Sequence, residues 1–522
     1  MRSLIANRAI SLAVVVVAIA AAAGLSVWKH TVTFAASTPQ PQQHSAPVNT
    51  VLRACPAPGL AGAPGSPVAL IASPASAGSG SAVLNRLGTS TGAPLASLTQ
   101  AGTLSMTDVH AAVAPGHGKA PAKRRTPAAK GKTPSPSPSP SPSGQPVVTT
   151  PAAGGVVIQA TGAMARGLEA EQVLPGGKIS ARCSAPGTDF WFVGPGAFPV
   201  GHIQLYLMNV GSEPADVDVE AFTDAGPLQG SPDTGVAVAP HSMVTQSLSH
   251  LLHGTRMIAV NVRTSVGQVV AAVEETTGRA HSGAWLPVSG TPGTRIVVPG
   301  MPPTAGTRQL FITVPGTQDA HVTLSAVTRK GSYHPTGGGG LDIPGGSVAQ
   351  ISLTSLSAIY GAVQVSSNVP VTASLMTPGG PKGTPGVFTA AAPALQEQGV
   401  VAVNVAGGGA VSSLVLSAPW RGARVRVTEI GAGGDQAAPG SVVTVPAHHS
   451  VLQQLAAPAG AHRGSAFALL VTPLPGSGPV YAGRIVMSSG KGGALLSVLP
   501  VSSALTVVPL PDVQGALVTP GH

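Results

Sequence analysis

Gln204-Leu205-Tyr206-Leu207-Met208-Asn209, followed by Gly211, Ala215, Val217, Val219, Ala221, Thr223 and Gly226, decides the fold, because the pattern returns about 105 residues later. The second copy reads Gln309-Leu310-Phe311-Ile312 with Gly316, Ala320, Val322, Leu324, Ala326, Thr328 and Gly331, without a gap. A shorter third copy holds Leu414, Leu416, Ala423, Val425 and Val427 at the same places after one deletion. Apolar and polar residues alternate through each copy, which is the signature of half-buried strands, and self-similarity at a fixed period marks a tandem array.

Each copy continues through a proline turn: Val238-Ala239-Pro240, Asp342-Ile343-Pro344 and Thr444-Val445-Pro446. A leucine-containing segment follows, then a hairpin with strands 259–262 and 269–273, 362–365 and 371–375, or 467–471 and 480–485. About seven short strands in about 105 residues, with Gly and Pro turns between them, fit an immunoglobulin-like or fibronectin-like sandwich. The fold class expected is all-β: tandem sandwiches after a single N-terminal transmembrane helix, with a disordered Pro-rich insertion.

The chain of 522 residues exceeds a single core. The expected organisation is a cytoplasmic tail at 1–8, a membrane anchor at 9–28 and a stalk at 29–50. N-terminal strands at 51–113 join the first sandwich, and a Pro, Ser and Lys-rich linker occupies 114–146. Sandwiches then follow at 147–290, 291–395 and 396–522. Residues 9–28 carry no formal charge, and twenty residues at about 1.5 Å each match the hydrocarbon thickness. Arg2 and Arg8 on the short side leave the N-terminus inside and the bulk outside. The competing reading is a cleaved signal with its site near Thr33-Phe34-Ala35.

Cys55 and Cys183 are the two cysteines, and an exported address permits them to pair, against the alternative of two free buried thiols. Charged residues are 9% and aromatics 3%, so small aliphatic side chains carry the packing. The net charge of +10 is largely local: Lys119, Lys123, Arg124, Arg125, Lys130 and Lys132 cluster in the linker with no acid among them. Such a cluster attracts polyanions such as anionic wall polymer; it is no sign of specific nucleic-acid binding.

Chemical motifs are sparse. Gly88-Thr89-Ser90-Thr91-Gly92 matches in letters a nucleophile elbow, which needs a strand before the Ser and a helix after it, but it lies in a Gly, Ser and Thr-rich turn and no convincing helix follows. His448-His449 and Glu274-Glu275 are adjacent pairs, which a strand sends to opposite faces. No metal site, cofactor or catalytic residue is expected. A glycan site needs exposed aromatic platforms, and Trp191, Trp285 and Trp420 each sit where a strand buries them as core.

The chain resembles the actinobacterial envelope proteins grouped as domain of unknown function 5719. The residues that carry the likeness include Cys55-Pro56-Ala57-Pro58, Cys183-Ser184-Ala185-Pro186-Gly187-Thr188-Asp189-Phe190-Trp191-Phe192, Leu205-Tyr206-Leu207-Met208-Asn209, Val238-Ala239-Pro240-His241-Ser242 and Ala271-Ala272-Val273. The resemblance implies an exported or anchored β-rich protein without established activity, and it supplies no catalytic residues. The function expected is a non-enzymatic, membrane-anchored envelope scaffold that binds a wall polymer or envelope protein. The alternative is an accessory subunit of an envelope glycosyltransferase or wall-processing enzyme.

Overall fold

The computed structural model describes residues 44–510 apart from 57–65, 75–77, 89–92, 110–153, 174–179, 197–200, 229–234, 250–251, 253, 278–282, 380–385, 433–439, 463 and 491–492. The expected tail at 1–8, the expected anchor at 9–28, most of the expected stalk, the expected linker with its six cations, and residues 89–92 of the Gly-Ser-Thr stretch lie outside them. Among the described residues no helix is long and apolar enough to cross a membrane. The outer ends of β1 (His44–Pro47) and β35 (Val507–Leu510) belong to one unit, and the two strands pair as a two-stranded sheet. The other unit, 47–508, holds four modules of antiparallel strands.

The first module comprises β2 (Thr50–Cys55), β3 (Ser66–Ile71), β4 (Gly80–Arg86), β5 (Ala96–Leu98), β6 (Ser105–Val109), β7 (Val156–Gly162), β8 (Glu169–Val173) and β9 (Ser180–Arg182). The second has β10 (Asp189–Pro195), β11 (Gly201–Asn209), β12 (Ala215–Thr223), β13 (Gly226–Pro227), β14 (Val236–Val238), β15 (Ser242–Ser247), β16 (Met257–Val266), β17 (Val270–Thr277) and β18 (Gly283–Leu286). In the third are β19 (Gly293–Met301), β20 (Arg308–Thr313), β21 (Ala320–Thr328), β22 (Gly331–Tyr333), β23 (Leu341–Ile343), β24 (Val348–Leu353), β25 (Gly361–Thr377) and β26 (Val387–Ala390). The fourth contains β27 (Gly399–Val405), β28 (Ala410–Ala418), β29 (Ala423–Ile430), β30 (Ser441–Val445), β31 (His449–Gln454), β32 (Ala466–Pro473), β33 (Tyr481–Gly490) and β34 (Gly493–Val501).

One topology repeats. The first module has sheets β2-β7-β4-β5 and β6-β3-β8-β9, and the fourth has β27-β32-β29-β30 and β31-β28-β33-β34, the same order by position in the module. In the second, β10-β16-β12-β13 carries β14 on β12 and lies opposite β15-β11-β17-β18. The third differs in one respect: β25 runs from one sheet into the other, pairing with β19 and β21 in its first half and with β20 and β26 in its second.

Alternation explains the cores. On β21 the residues Ala320, Val322, Leu324 and Ala326 point inward and meet Leu310 and Ile312 of β20 in one buried cluster. Equivalent clusters fill the other three modules. The strands at 51–113 do not join the first repeat as the sequence reading expects. They pair with β7 and β8, β9 adding to the edge of β8, and enclose a core of their own, so the chain carries a fourth copy of the topology ahead of the three repeats.

The modules close on one another in a cycle. Leu52, Ala54 and Val157 of the first cover Met208, Val210, Met243 and Val270 of the second. Trp191, Val193, Phe222 and Ala259 of the second cover Phe311 and Val348 of the third. Val297, Val327 and Ala362 of the third meet Tyr481 of the fourth, where Gly483 sits so close that a Cβ there would lie 2.3 Å from the Gly300 Cα. Val400, Ala402, Val403, Ile430 and Ala468 of the fourth then cover Ala69, Ile71 and Val173 of the first. Each contact sets the first-named sheet of one module on the second-named sheet of the next, a head-to-tail interface that generates a ring when it closes.

Candidate functional site

The closing contact is polar at its centre. The ladder between β27 and β32 slips between Val401 and Asn404, leaving two N–H groups without a strand partner. Glu171 on β8, fully buried, takes both through Oε1, from Ala402 at 2.7 Å and Val403 at 3.4 Å. Its Oε2 accepts from the Ser180 hydroxyl at 2.6 Å and from Arg484 Nη2 at 3.3 Å. Arg484, 1% exposed, also donates to the Ser180 and Ser497 hydroxyls. Burial pushes the Arg484 guanidinium below its ordinary value, and the Glu171 carboxylate opposes that. Next to it Arg182 Nε lies 2.5 Å from Glu169 Oε1. Burial raises Glu169 against the pull of Arg182 and Arg53. A buried ion pair is a weak source of net stability but a strong constraint on how its two elements dock.

Beside this lock a cleft of about 120 Å³ opens where all four modules meet, lined among others by Pro56, Arg182, Ser184, Trp285, Phe388 and Pro500. It adjoins the outward face of β15-β11-β17-β18. There Gln204, Glu274 and Trp285 form one row across the sheet, and Tyr206 and Ala272 the next. The Tyr206 hydroxyl donates to Glu274 Oε2 at 2.8 Å and lies 3.2 Å from Gln204 Oε1. The Tyr206 and Trp285 rings are 5.5 Å apart at 40°. Gln204 is exposed, and Tyr206, Ala272, Glu274 and Trp285 are half-buried. Burial and the adjacent Glu274 carboxylate raise the Tyr206 hydroxyl. Burial raises Glu274, while the hydrogen bond from Tyr206 works the other way.

The same positions elsewhere are apolar and covered. Tyr206, Glu274 and Trp285 correspond by register to Phe311, Met376 and Phe388 in the third module and to Val415, Ile485 and Val498 in the fourth. Phe311 lies beneath the second module, and Val415, Ile485 and Val498 are flanked by Tyr360 and Val387 of the third. Only the second module, among these three, presents a polar and aromatic patch at this place.

Residues 137–458 match the model of a family of unknown function, DUF5719. The chain belongs to that family. The match takes in the end of the first module, all of the second and third, and part of the fourth. No curated protein and no solved structure matches the DUF5719 chain.

Several sequence-level candidates fall into place in it. Cys55 and Cys183 form a disulfide, with both residues fully buried. Trp191 is core, 6% exposed against Phe222, and Trp420 packs edge-on against Tyr481. Trp285 departs from the expected burial: it is half-buried, in the same row as Glu274 on the outward face described above. His448 adopts a left-handed turn (φ 64°) and His449 Nδ1 lies 2.7 Å from the Ala447 carbonyl. Among the described residues no three His, Cys, Asp or Glu side chains gather as a metal site. Gly88 ends a described turn, and the rest of that stretch lies outside the described residues.

Glu274 and Glu275 do separate to opposite faces. Glu275 points inward, is 4% exposed, and its Oε1 has no hydrogen-bond partner. Burial alone raises it well above the ordinary carboxylate value. A carboxyl raised on folding stabilises the native state below its unfolded pKa, and that contribution is lost as pH rises through the folded value. Glu275→Gln is therefore expected to unfold at a higher temperature than the native protein near neutral pH. The gap should close below about pH 4, where the carboxyl is protonated in both states. Thermal unfolding between about pH 3 and about pH 8 checks this; a gap that does not change with pH refutes it.

Proposed function

We propose that this chain is a non-enzymatic, membrane-anchored extracytoplasmic binding scaffold of the actinobacterial cell envelope, single-pass with its N-terminus inside. In this reading each module is an immunoglobulin-like sandwich, its two sheets enclosing one core. The closed cycle of modules carries the reading, because it fixes four sheets rigidly around a shared cleft and leaves one polar, aromatic face beside that cleft for a partner. The buried Cys55–Cys183 disulfide supports an oxidising compartment outside the cytoplasm. The cations at Lys119, Lys123, Arg124, Arg125, Lys130 and Lys132 would add Coulomb attraction toward anionic wall polymer.

The test is crosslinking of the whole anchored protein in intact producing cells, followed by mass spectrometry of protein and glycan partners. Recovery of wall polymer supports the scaffold. Recovery of a single envelope glycosyltransferase or wall-processing enzyme, at constant stoichiometry and without polymer, would replace it with an accessory subunit.

A further inference from the structure

The open face of the second module has the composition of a saccharide platform. Sugar rings present a patch of C–H groups on one side and a rim of hydroxyls around it. Their recognition calls for an aromatic ring to receive the patch, flanked by planar groups that accept and donate hydrogen bonds. Trp285 and Tyr206 supply rings 5.5 Å apart. Glu274 supplies a carboxylate between them, and Gln204 an exposed amide in the same row. Ala272, beside Tyr206, is small, and it and the half-buried Trp285 both line the cleft.

Three observations set this place apart from ordinary surface. The counterparts of Tyr206, Glu274 and Trp285 in the third and fourth modules are apolar and packed against a neighbour, so these three are not what the repeat needs for packing, whereas Gln204 recurs as Gln309. Part of the same sheet, around Met208 and Met243, is covered by the first module; that cluster reaches one side of Tyr206 and does not include the Gln204–Glu274–Trp285 row. The cleft at the end of that row has about 120 Å³, room for several waters at roughly 10–15 Å³ each, which is the scale of one sugar ring. Charge narrows the class. Arg182 in the cleft is already paired with Glu169, whereas the Glu274 carboxylate meets only the Tyr206 hydroxyl among the described hydrogen bonds. An acidic sugar would face an unbalanced carboxylate there.

We infer that Trp285, Tyr206, Glu274 and Gln204 form a binding site for a neutral or amino-bearing saccharide, with one ring stacked on Trp285 and its hydroxyls bonded to Glu274 and Gln204. The inference rests on the scaffold reading and names the class of partner.

Full-length protein in detergent is applied to a printed array of neutral, amino-sugar and uronic-acid oligosaccharides, and the best ligand is titrated by calorimetry. The expected result is binding to neutral or amino-sugar probes that weakens roughly tenfold to a hundredfold in Trp285→Ala and in Glu274→Ala, the range for losing a stacked ring or a charged hydrogen bond. Tyr333→Ala, on an exposed strand of the third module, should bind as the native protein does. Because Trp285→Ala removes packing, thermal unfolding is read alongside, and exposed Gln204→Ala tests the site without touching a ring. Binding to no saccharide, binding to uronic acids only, or binding unchanged in all three site variants overturns the inference. If cellular crosslinking still recovers wall polymer with those variants, the scaffold reading survives and this site does not. If neither assay finds a partner, both fall.

Discussion

Replacing Cys55 and Cys183 together by serine is expected to destabilise the first module by about 5 kcal/mol, enough to unfold a small module under mild conditions. The two cysteines are 128 residues apart in sequence. In the chain-entropy account a closed loop of that length restricts the unfolded ensemble by about 4–5 kcal/mol. The position adds to the effect. Cys55 ends β2 in one sheet and Cys183 follows β9 in the other, so the bond staples the two sheets across their core. Beside it Ala54 and Ser184 exchange backbone hydrogen bonds of 2.9 and 3.0 Å. Calorimetry of the native and Cys55→Ser/Cys183→Ser proteins, with limited proteolysis to locate the first cleavage, should show a new low-temperature transition and early cutting between 50 and 183. A single transition at the native temperature would show that the bridge adds nothing the packing does not already supply.

Arg484→Met is expected to cost about 3–5 kcal/mol, the range for removing one partner of a buried ion pair. Glu171→Met should cost more. The arginine substitution leaves Glu171 with the Ala402, Val403 and Ser180 donors. The glutamate substitution strands a buried guanidinium and two backbone N–H groups at once, and each such group carries a desolvation penalty of about 1–3 kcal/mol. The double variant should recover part of the loss, since no unpaired charge remains, yet stay below the native protein because the Ala402 N–H still lacks an acceptor. Hydrogen exchange reads this locally: faster exchange at Ala402 and along β8, with the third module unchanged. If Arg484→Met and Glu171→Met are equally mild, the lock is wetter than its burial implies and does not hold the first and fourth modules together.

The repeat was legible because its signal is local: inward residues such as Val322 and Leu324 alternate within a few positions, and the spacing carries from copy to copy. The cysteine pairing was legible because two cysteines allow one bond. The fourth copy was not, although Val68 and Leu70, Ala82 and Leu84, and Ile158 and Ala160 alternate in the same manner. Residues 110–153 separate its fifth and sixth strands, and the stretch Glu169-Ala170-Glu171-Gln172 on β8 reads as a solvated segment. Its meaning depends on Arg484, 313 residues away, and alternation within a strand gives no sign of that contact. Trp285 was unreadable for a related reason. Pattern says that a residue lies in a strand, whereas the neighbouring module decides which face is covered, and that is a property of the closed cycle.

That cycle also fixes the number of modules. A linear array of repeats can gain or lose a copy at modest cost, because every copy sees the same neighbours and the two ends merely move apart. Here four successive rotations must return the chain to its starting face so that Glu171 meets Ala402 and Arg484. A fifth module duplicated into the chain would have no arc left to occupy, and a deletion to three would leave the last turn short. Drift in this lineage should therefore appear as insertions between strands, with the copy number held constant.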